Sequence, residues 1–204
     1  MAQIAPTKGN LMATQKSLEL AELGYDLLDR KRNILIREMM GMIDRAADVQ
    51  GRIDSTFGEA YAALQKVGLT MGFNEEYILN TPVEDGLEID SRSVMGVELP
   101  TVRLHSESQP NYPFTGTNSL LDTASKRFQE VKELTAELAE VESSVYLLAN
   151  AIRKTQKRAN ALKNILIPQF RETVKQIAEA LDEKEREDFT RLKVIKRQKE
   201  KAAE

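Results

Sequence analysis

LMATQKSLELAELGYDLLDRKRNILIREMMGMIDRAADVQGRI, residues 11–53, decides the fold class. Leu11, Thr14, Leu18, Ala21, Tyr25, Leu28, Arg32, Leu35, Met39, Met42, Ala46, Val49 and Ile53 follow one another in alternating steps of three and four. Only Thr14 and Arg32 break the apolar series. A single buried face on a globular helix rarely stays in register for so long, whereas a coiled-coil seam must. Beyond Ile53 the seam takes an additional step of four to Phe57, then resumes through Ala60, Leu64 and Val67. Such a stutter locally unwinds a left-handed supercoil. Upstream, Thr7 follows Pro6 and can cap the helix.

Six glycines interrupt this first helix: Gly24, Gly41, Gly51, Gly58, Gly68 and Gly72. Each costs about 1 kcal/mol relative to Ala. The expectation is a close backbone neighbour or a bend at some of them.

The pattern breaks over residues 73–118. Pro82, Pro100, Pro110 and Pro113 fall here, with Gly86, Gly96 and Gly116. Two β-like runs, 93–99 and 101–104, lie between the breakers, and Pro100 separates them like a turn residue. A small hairpin in a loop-rich knob is expected. A second helix opens near Ser119, where Ser119 and Asp122 have capping-box spacing. Its seam runs through Val131, Leu134, Leu138, Val141, Val145, Leu148, Ile152, Thr155, Ala159, Leu162 and Leu166. Pro168 is expected to kink it. Apolar spacing returns at Phe170, Val174, Ile177 and Leu181.

The fold class is therefore mainly α: two long helices forming an antiparallel left-handed coiled coil, with a small β-hairpin in a short middle. Residues 1–72, 73–118 and 119–204 are the first helix, the knob and the second helix of one elongated domain. If the chain folds back at the middle, facing residues have numbers adding to roughly 192. Gly24 then faces Pro168, Arg32 lies near Asn160, and Thr7 lies near residue 185. The knob sits at one end. At the other, Arg191, Lys193, Lys196, Arg197, Lys199 and Lys201 overhang with only Glu200 against them.

Composition agrees. Charged residues make up 30 % and aromatics only 5 %, with no Trp, which suits long helices better than a compact globule. The absence of Cys excludes disulfides and thiolate metal sites and is compatible with a reducing compartment. No signal-peptide core or run of eighteen apolar residues occurs. A net charge of −3 argues against a general nucleic-acid binder.

No motif points to catalysis, a cofactor or a metal. Neither a P-loop nor a dinucleotide fingerprint is present. His105 is the only histidine and reads as a solvated loop residue beside Ser106 and Glu107. The acidic run Asp182, Glu183, Glu185, Glu187 and Asp188 is interspersed with Lys184 and Arg186. It reads as a solvated face with pairs such as Asp182–Arg186. The basic tail, mixed with Leu192, Val194 and Ile195, suits nucleic acid, acidic lipid or an acidic protein cavity. The apolar admixture favours a partner that buries apolar surface.

Several stretches together resemble the D subunit of the V-type and A-type rotary ATPases, the central rotor shaft. They are Ala5–Lys8, Leu27–Ile36, Val94–Pro100, Lys154–Leu162 with Ile167–Pro168, and Glu185–Lys193. The likeness spans nearly the whole chain. It departs at Ala159, Lys163 and Asp29, where Val, Glu and Lys are commoner. The middle is shorter than the inserted domain of the F-type γ shaft.

The resemblance implies a non-catalytic, cofactor-free protein that transmits torque between an ATP-hydrolysing or synthesising hexamer of A and B subunits and a proton- or sodium-translocating membrane ring. Lys8, Arg191, Lys193, Lys196 and Arg197 would contact the hexamer bore. Phe57, Tyr61, Leu64, Phe128 and Val131 would contact the small F subunit of the rotor. A funnel-shaped subunit on the ring would be a further partner, with no nucleic acid and no direct membrane insertion. The location would be cytoplasmic and peripheral to the membrane. The competing class is a coiled-coil adaptor or tether, such as a soluble export-apparatus stalk component.

Overall fold

The computed structural model describes residues 5–72, 85–105 and 117–202, and side chains as far as residue 199. Pro82, Pro110, Pro113, Gly116, Ser106 and Glu107, and the side chains of Glu200 and Lys201, lie outside the described residues. Helix α1 is Lys8–Met71. Strands β1, Leu87–Val94, and β2, Val97–Leu104, form an antiparallel hairpin. Helix α2 is Ser119–Ala161, a π-helical turn occupies Leu162–Leu166, and α3 is Ile167–Ala202. The chain divides into two compact units. One is Asn33–Arg153; the other joins Met1–Arg32 to Lys154–Glu204.

In each unit, low-numbered residues meet high-numbered ones in reverse order, so the helices are antiparallel. Lys8 meets Glu185 (2.9 Å), Glu22 meets Arg171 (2.6 Å) and Arg32 meets Gln156 (2.8 Å) in the second unit. Arg45 meets Glu137 (2.7 Å) and Tyr61 meets Phe128 in the first. The α1 seam buries Thr14, Ala21, Leu35, Met42 and Val49 at heptad multiples, then shifts to Ile53, Ala60 and Val67. This four-residue shift of phase is the stutter expected from the sequence.

The starts of α1 and α2 are each capped by a side chain. Thr7 Oγ1 accepts from the Asn10 N–H at 3.2 Å, as expected. The α2 cap is Asn118 rather than Ser119: Asn118 Oδ1 accepts from the Leu120 N–H, two positions on, and Ser119 is already helical. At its other end α1 stops at Gly72, whose φ of +73° is the left-handed conformation that terminates helices. At four of the helical glycines no other backbone comes close. A Cβ at Gly41, Gly51 or Gly58 would have nothing within 4 Å, and at Gly24 it would touch only Leu162 Cδ1 at 3.7 Å.

That contact also corrects the register: Gly24 faces Leu162, not Pro168, and Arg32 donates to Gln156, one turn before the expected Asn160. Gln156 in turn donates to Asn160 Oδ1 at 2.8 Å. The π turn adds one residue to one strand of the pair, which a single constant sum cannot represent. It has a physical cause. Pro168 has no N–H to return to Asn164 and its ring crowds that carbonyl, so the preceding turn widens. The Ile167 N–H instead bonds Leu162 O, five residues back. The wider turn removes Leu166 from the seam, where it was expected, and leaves it 39 % exposed; Ile167 takes its place.

The hairpin differs from expectation in two respects. Its turn is Met95–Gly96, both with positive φ (51° and 75°), the conformation of a two-residue hairpin loop. Pro100 lies within β2, opposite Ser91. Counting outward from the closing pair Val94–Val97, Ser91–Pro100 is a pair that exchanges no hydrogen bonds, so proline removes no ladder bond there.

The second difference is position. Leu99 is completely buried among Leu35, Met42, Val141 and Leu148, with Val94 and Val97 against the same cluster. From that docking point α1 continues to Met71, about 45 Å further at ~1.5 Å per residue. The hairpin therefore lies along the flank of the helix pair in its own unit, and is not a knob at the end of α1. A two-stranded hairpin has no core of its own, so three apolar side chains near its turn seek the nearest apolar surface.

Candidate functional site

Three surfaces gather the residues singled out in the sequence. The first is the α3 tail. Every described side chain from Asp182 to Lys199 is exposed, including Phe189, Leu192, Val194 and Ile195. At about 100° per residue, Val194 points roughly half a turn away from Leu192 and Phe189, while Lys196 falls between those two. Arg191, Lys193, Arg197 and Lys199 occupy the remaining directions. Apolar and basic groups thus alternate around the whole circumference. A flat surface or one-sided groove would satisfy only part of it; a partner that encircles the helix can satisfy all of it.

Within the chain these residues are partly engaged. Arg191 pairs with Glu187 (3.5 Å) and Asp188 (3.6 Å), one turn back, and Lys193 Nζ lies 5.4 Å from the Phe189 ring centre. Lys8 forms its ion pair with Glu185. The bond from Lys8, then its charge, holds the Glu185 carboxyl below the usual carboxylate range; the same partner raises Lys8. The acidic run is spread along the helix, and Glu185, Glu187 and Asp188 already face cations. Among the described residues no group of three or more acidic, His or Cys side chains could hold one metal ion.

The second surface is aromatic. Phe57 stacks on Tyr61 (5.8 Å between centroids), and Tyr61 meets Phe128 edge-to-face at 5.7 Å. Tyr61 is 54 % exposed; Phe57, Phe128 and Leu64 are half-buried. Arg127 flanks the rings, paired with Glu130 (2.9 Å) and Glu59 (3.3 Å). Val131 does not belong to this surface. It is only 4 % exposed because its position lies in the seam.

The third is the docked hairpin. Glu140 Oε2 accepts the Val102 N–H at 2.8 Å, and Arg45 stands 4.0 Å from the same carboxylate while bonding Glu137. A charged latch from α2 therefore closes the outer edge of β2. Neither Arg45 nor Glu140 is visible as special in the sequence, since both are ordinary charged residues of helices. His105 lies 3.4 Å from Glu88, both exposed, at the open end of the hairpin.

The family model that describes the D subunit of ATP synthase matches residues 10–197 of the chain. The chain belongs to the ATP synthase D-subunit family. It is 45 % identical over 196 residues to the V-type ATP synthase D subunit of Thermotoga neapolitana, spanning 95 % of this chain and 97 % of that protein. The A-type ATP synthase D subunit of Pyrococcus furiosus is 36 % identical over 200 residues, covering 95 % and 94 %. That of Methanobrevibacter smithii is 37 % identical over 199 residues, covering 95 % and 86 %. Membership of the D-subunit family fits the three surfaces, all of which offer contacts rather than convergent reactive groups. Among the described residues of this D-subunit chain, no helix is long and apolar enough to cross a membrane.

Proposed function

We propose that this D-subunit chain is the central shaft of a V/A-type ATP synthase. It passes torque between a hexamer of A and B subunits, where nucleotide chemistry occurs, and the ion-translocating ring in the membrane. The chain itself supplies no reacting group. It works on the cytoplasmic side, peripheral to the membrane, without entering lipid or binding nucleic acid.

The observation that carries this reading is the tail. Basic and apolar side chains exposed on every azimuth of one helix suit insertion into the bore of a hexamer. Lys8, Arg191, Lys193, Lys196 and Arg197 are the bore contacts, with the last four set for electrostatic steering. The cluster of Phe57, Tyr61 and Phe128, with Leu64 behind it, is the contact for the small F subunit of the rotor. A funnel-shaped subunit on the ring receives the rest of the rotor.

The test is purification of the complex containing a tagged chain. The A and B subunits are expected to co-purify in the parent. The quadruple reversal R191E/K193E/K196E/R197E is expected to slow assembly or lower coupled ATPase activity, with a salt-dependent loss. Unchanged assembly and activity in the quadruple variant would sink the bore assignment; absence of A and B from the parent would sink the shaft itself.

A further inference from the structure

The hairpin carries apolar side chains on both faces, and the helix pair accounts for only one. The register runs without a bulge from Leu87–Leu104 to Val94–Val97. Side chains of 92, 94, 97 and 99 share one face, which bears Val94, Val97 and the buried Leu99. The other face carries Leu87 and Ile89 on β1 and Val102 and Leu104 across from them. Between Leu99 and Val102 the apolar positions therefore change parity. On the seam-directed face at this end stand Glu88, Asp90 and Arg103 instead, with Arg103 3.8 Å from Asp90. Ile89 is 67 % exposed and Leu87 49 %.

The edges are as unequal as the faces. In a two-residue hairpin the closing pair exchanges hydrogen bonds and the pairs beyond it alternate. The His105 N–H to Gly86 O bond at 2.9 Å agrees with that parity at the open end. The backbone groups of Leu87, Ile89, Ser91 and Ser93 on β1 thus point away from β2. So do those of Glu98, Pro100 and Val102 on β2. On β2 that edge is closed, by the missing N–H of Pro100 and by the Glu140 carboxylate on Val102. On β1 no described residue bonds the outward groups of Leu87, Ile89, Ser91 or Ser93. The residues with open backbone groups include the two with exposed apolar side chains.

We propose that β1 is a docking edge for an extended strand of a neighbouring subunit. That strand would pair with Leu87–Ser93 and present an apolar residue at every second position, beside Leu87 and Ile89. An extended backbone is the chemistry that this edge selects. A helix could cover Leu87 and Ile89 but would leave the row of donors and acceptors unmet. Because the neighbour is sought within the ATP synthase complex, the inference rests on the shaft reading.

Hydrogen exchange of the Ile89 and Ser91 amides, measured on the full chain alone and on the purified complex, tests it. Fast exchange alone and exchange slower by at least about tenfold in the complex are expected, which is the effect of one protecting bond worth ~1.4 kcal/mol. The variant S91P removes one outward N–H opposite Pro100 and should return Ile89 toward fast exchange in the complex. The double variant L87K/I89K should do the same without unfolding the isolated chain, as read by circular dichroism. Equal exchange rates in chain and complex would overturn the proposal. So would protection in the complex that survives both variants, or protection of the chain alone that rises with its concentration, which would mark a second copy as the occupant. If no complex co-purifies, it is the shaft reading that has failed.

Discussion

Replacing Leu99 by Ala tests where the hairpin sits. Leu99 is the one hairpin side chain with no exposed surface, and its neighbours Leu35, Met42, Val141 and Leu148 come from both α1 and α2. The substitution removes three carbon groups, worth about 2.4 kcal/mol at ~0.8 kcal/mol each. A residual cavity adds to this, since the two helices are held apart by the rest of their seam and cannot close the gap. The expected loss is about 3–4 kcal/mol, within the range for buried Leu→Ala changes. Urea unfolding followed by circular dichroism at the helical band reads it, with Leu87→Ala as the control. Leu87 is half-exposed on the opposite face and should cost under ~1 kcal/mol. Amide exchange along β2 should accelerate in the Leu99 variant before that of α1, because the hairpin loses its anchor first. If Leu99→Ala unfolds within about 1 kcal/mol of the parent, the hairpin does not dock on this cluster and the placement is wrong.

Three further outcomes are expected. Gly41, Gly51 and Gly58 have open space where a Cβ would stand. G41A/G51A/G58A should therefore stabilise the isolated chain by roughly 2 kcal/mol, read by urea unfolding, and a net loss would show that those positions are confined. K8A should bring the Glu185 carboxyl back up to the ordinary carboxylate range in an NMR titration. Because the folded value is depressed, the pair's contribution is present above the unfolded carboxylate pKa and fades as pH falls through the folded one. P168A should restore the missing N–H and let the π turn tighten toward an α-helix; a structure of P168A with the π turn unchanged would show that the seam, and not the proline, holds it open.

The π turn shows what is legible in the sequence and what is not. The residues that return to the seam, Phe170, Val174, Ile177 and Leu181, can be picked out from their spacing, and Pro168 marks the disturbance. What spacing does not settle is whether Leu166 or Ile167 bridges the gap, because both are apolar. The structure decides through backbone hydrogen bonding. With Leu166 in the seam and ordinary helical steps beyond it, Gln169, Thr173 and Gln176 would be carried inward. With one additional residue in the turn, the apolar set is carried inward instead. Similar reasoning explains the hairpin. Pro100 marks a break in local preference and reads as a turn residue, whereas Met95–Gly96 supplies the positive φ pair that a tight turn needs. The long seams are legible because each repeats over many turns. Arg45, Glu140 and the docking of Leu99 are not, because they depend on contacts far apart in the sequence.

The surface of the helix pair also departs from what a freely turning shaft requires. A rotor needs an exterior that slides, yet Leu20, Leu23 and Leu27 on α1 and Ile165 on the π turn are more than half exposed. They belong to the same unit as Gly24 and Leu162, where the two helices approach. Charge is still abundant there, since Glu22 pairs with Arg171 and Lys163 lies over the Tyr25 ring at 5.5 Å. Alternation of charged and apolar groups is a workable compromise for a bearing. Interspersed charge keeps the apolar groups from merging into a face that locks onto one partner, while isolated apolar contacts exclude water at each resting position. The tail follows the same rule more strictly, with Lys196 set between Leu192 and Phe189. A shaft that must be held and then released is better served by many weak contacts than by one strong one. Uniform charge would never seat it, and a uniform apolar stripe would never let it go.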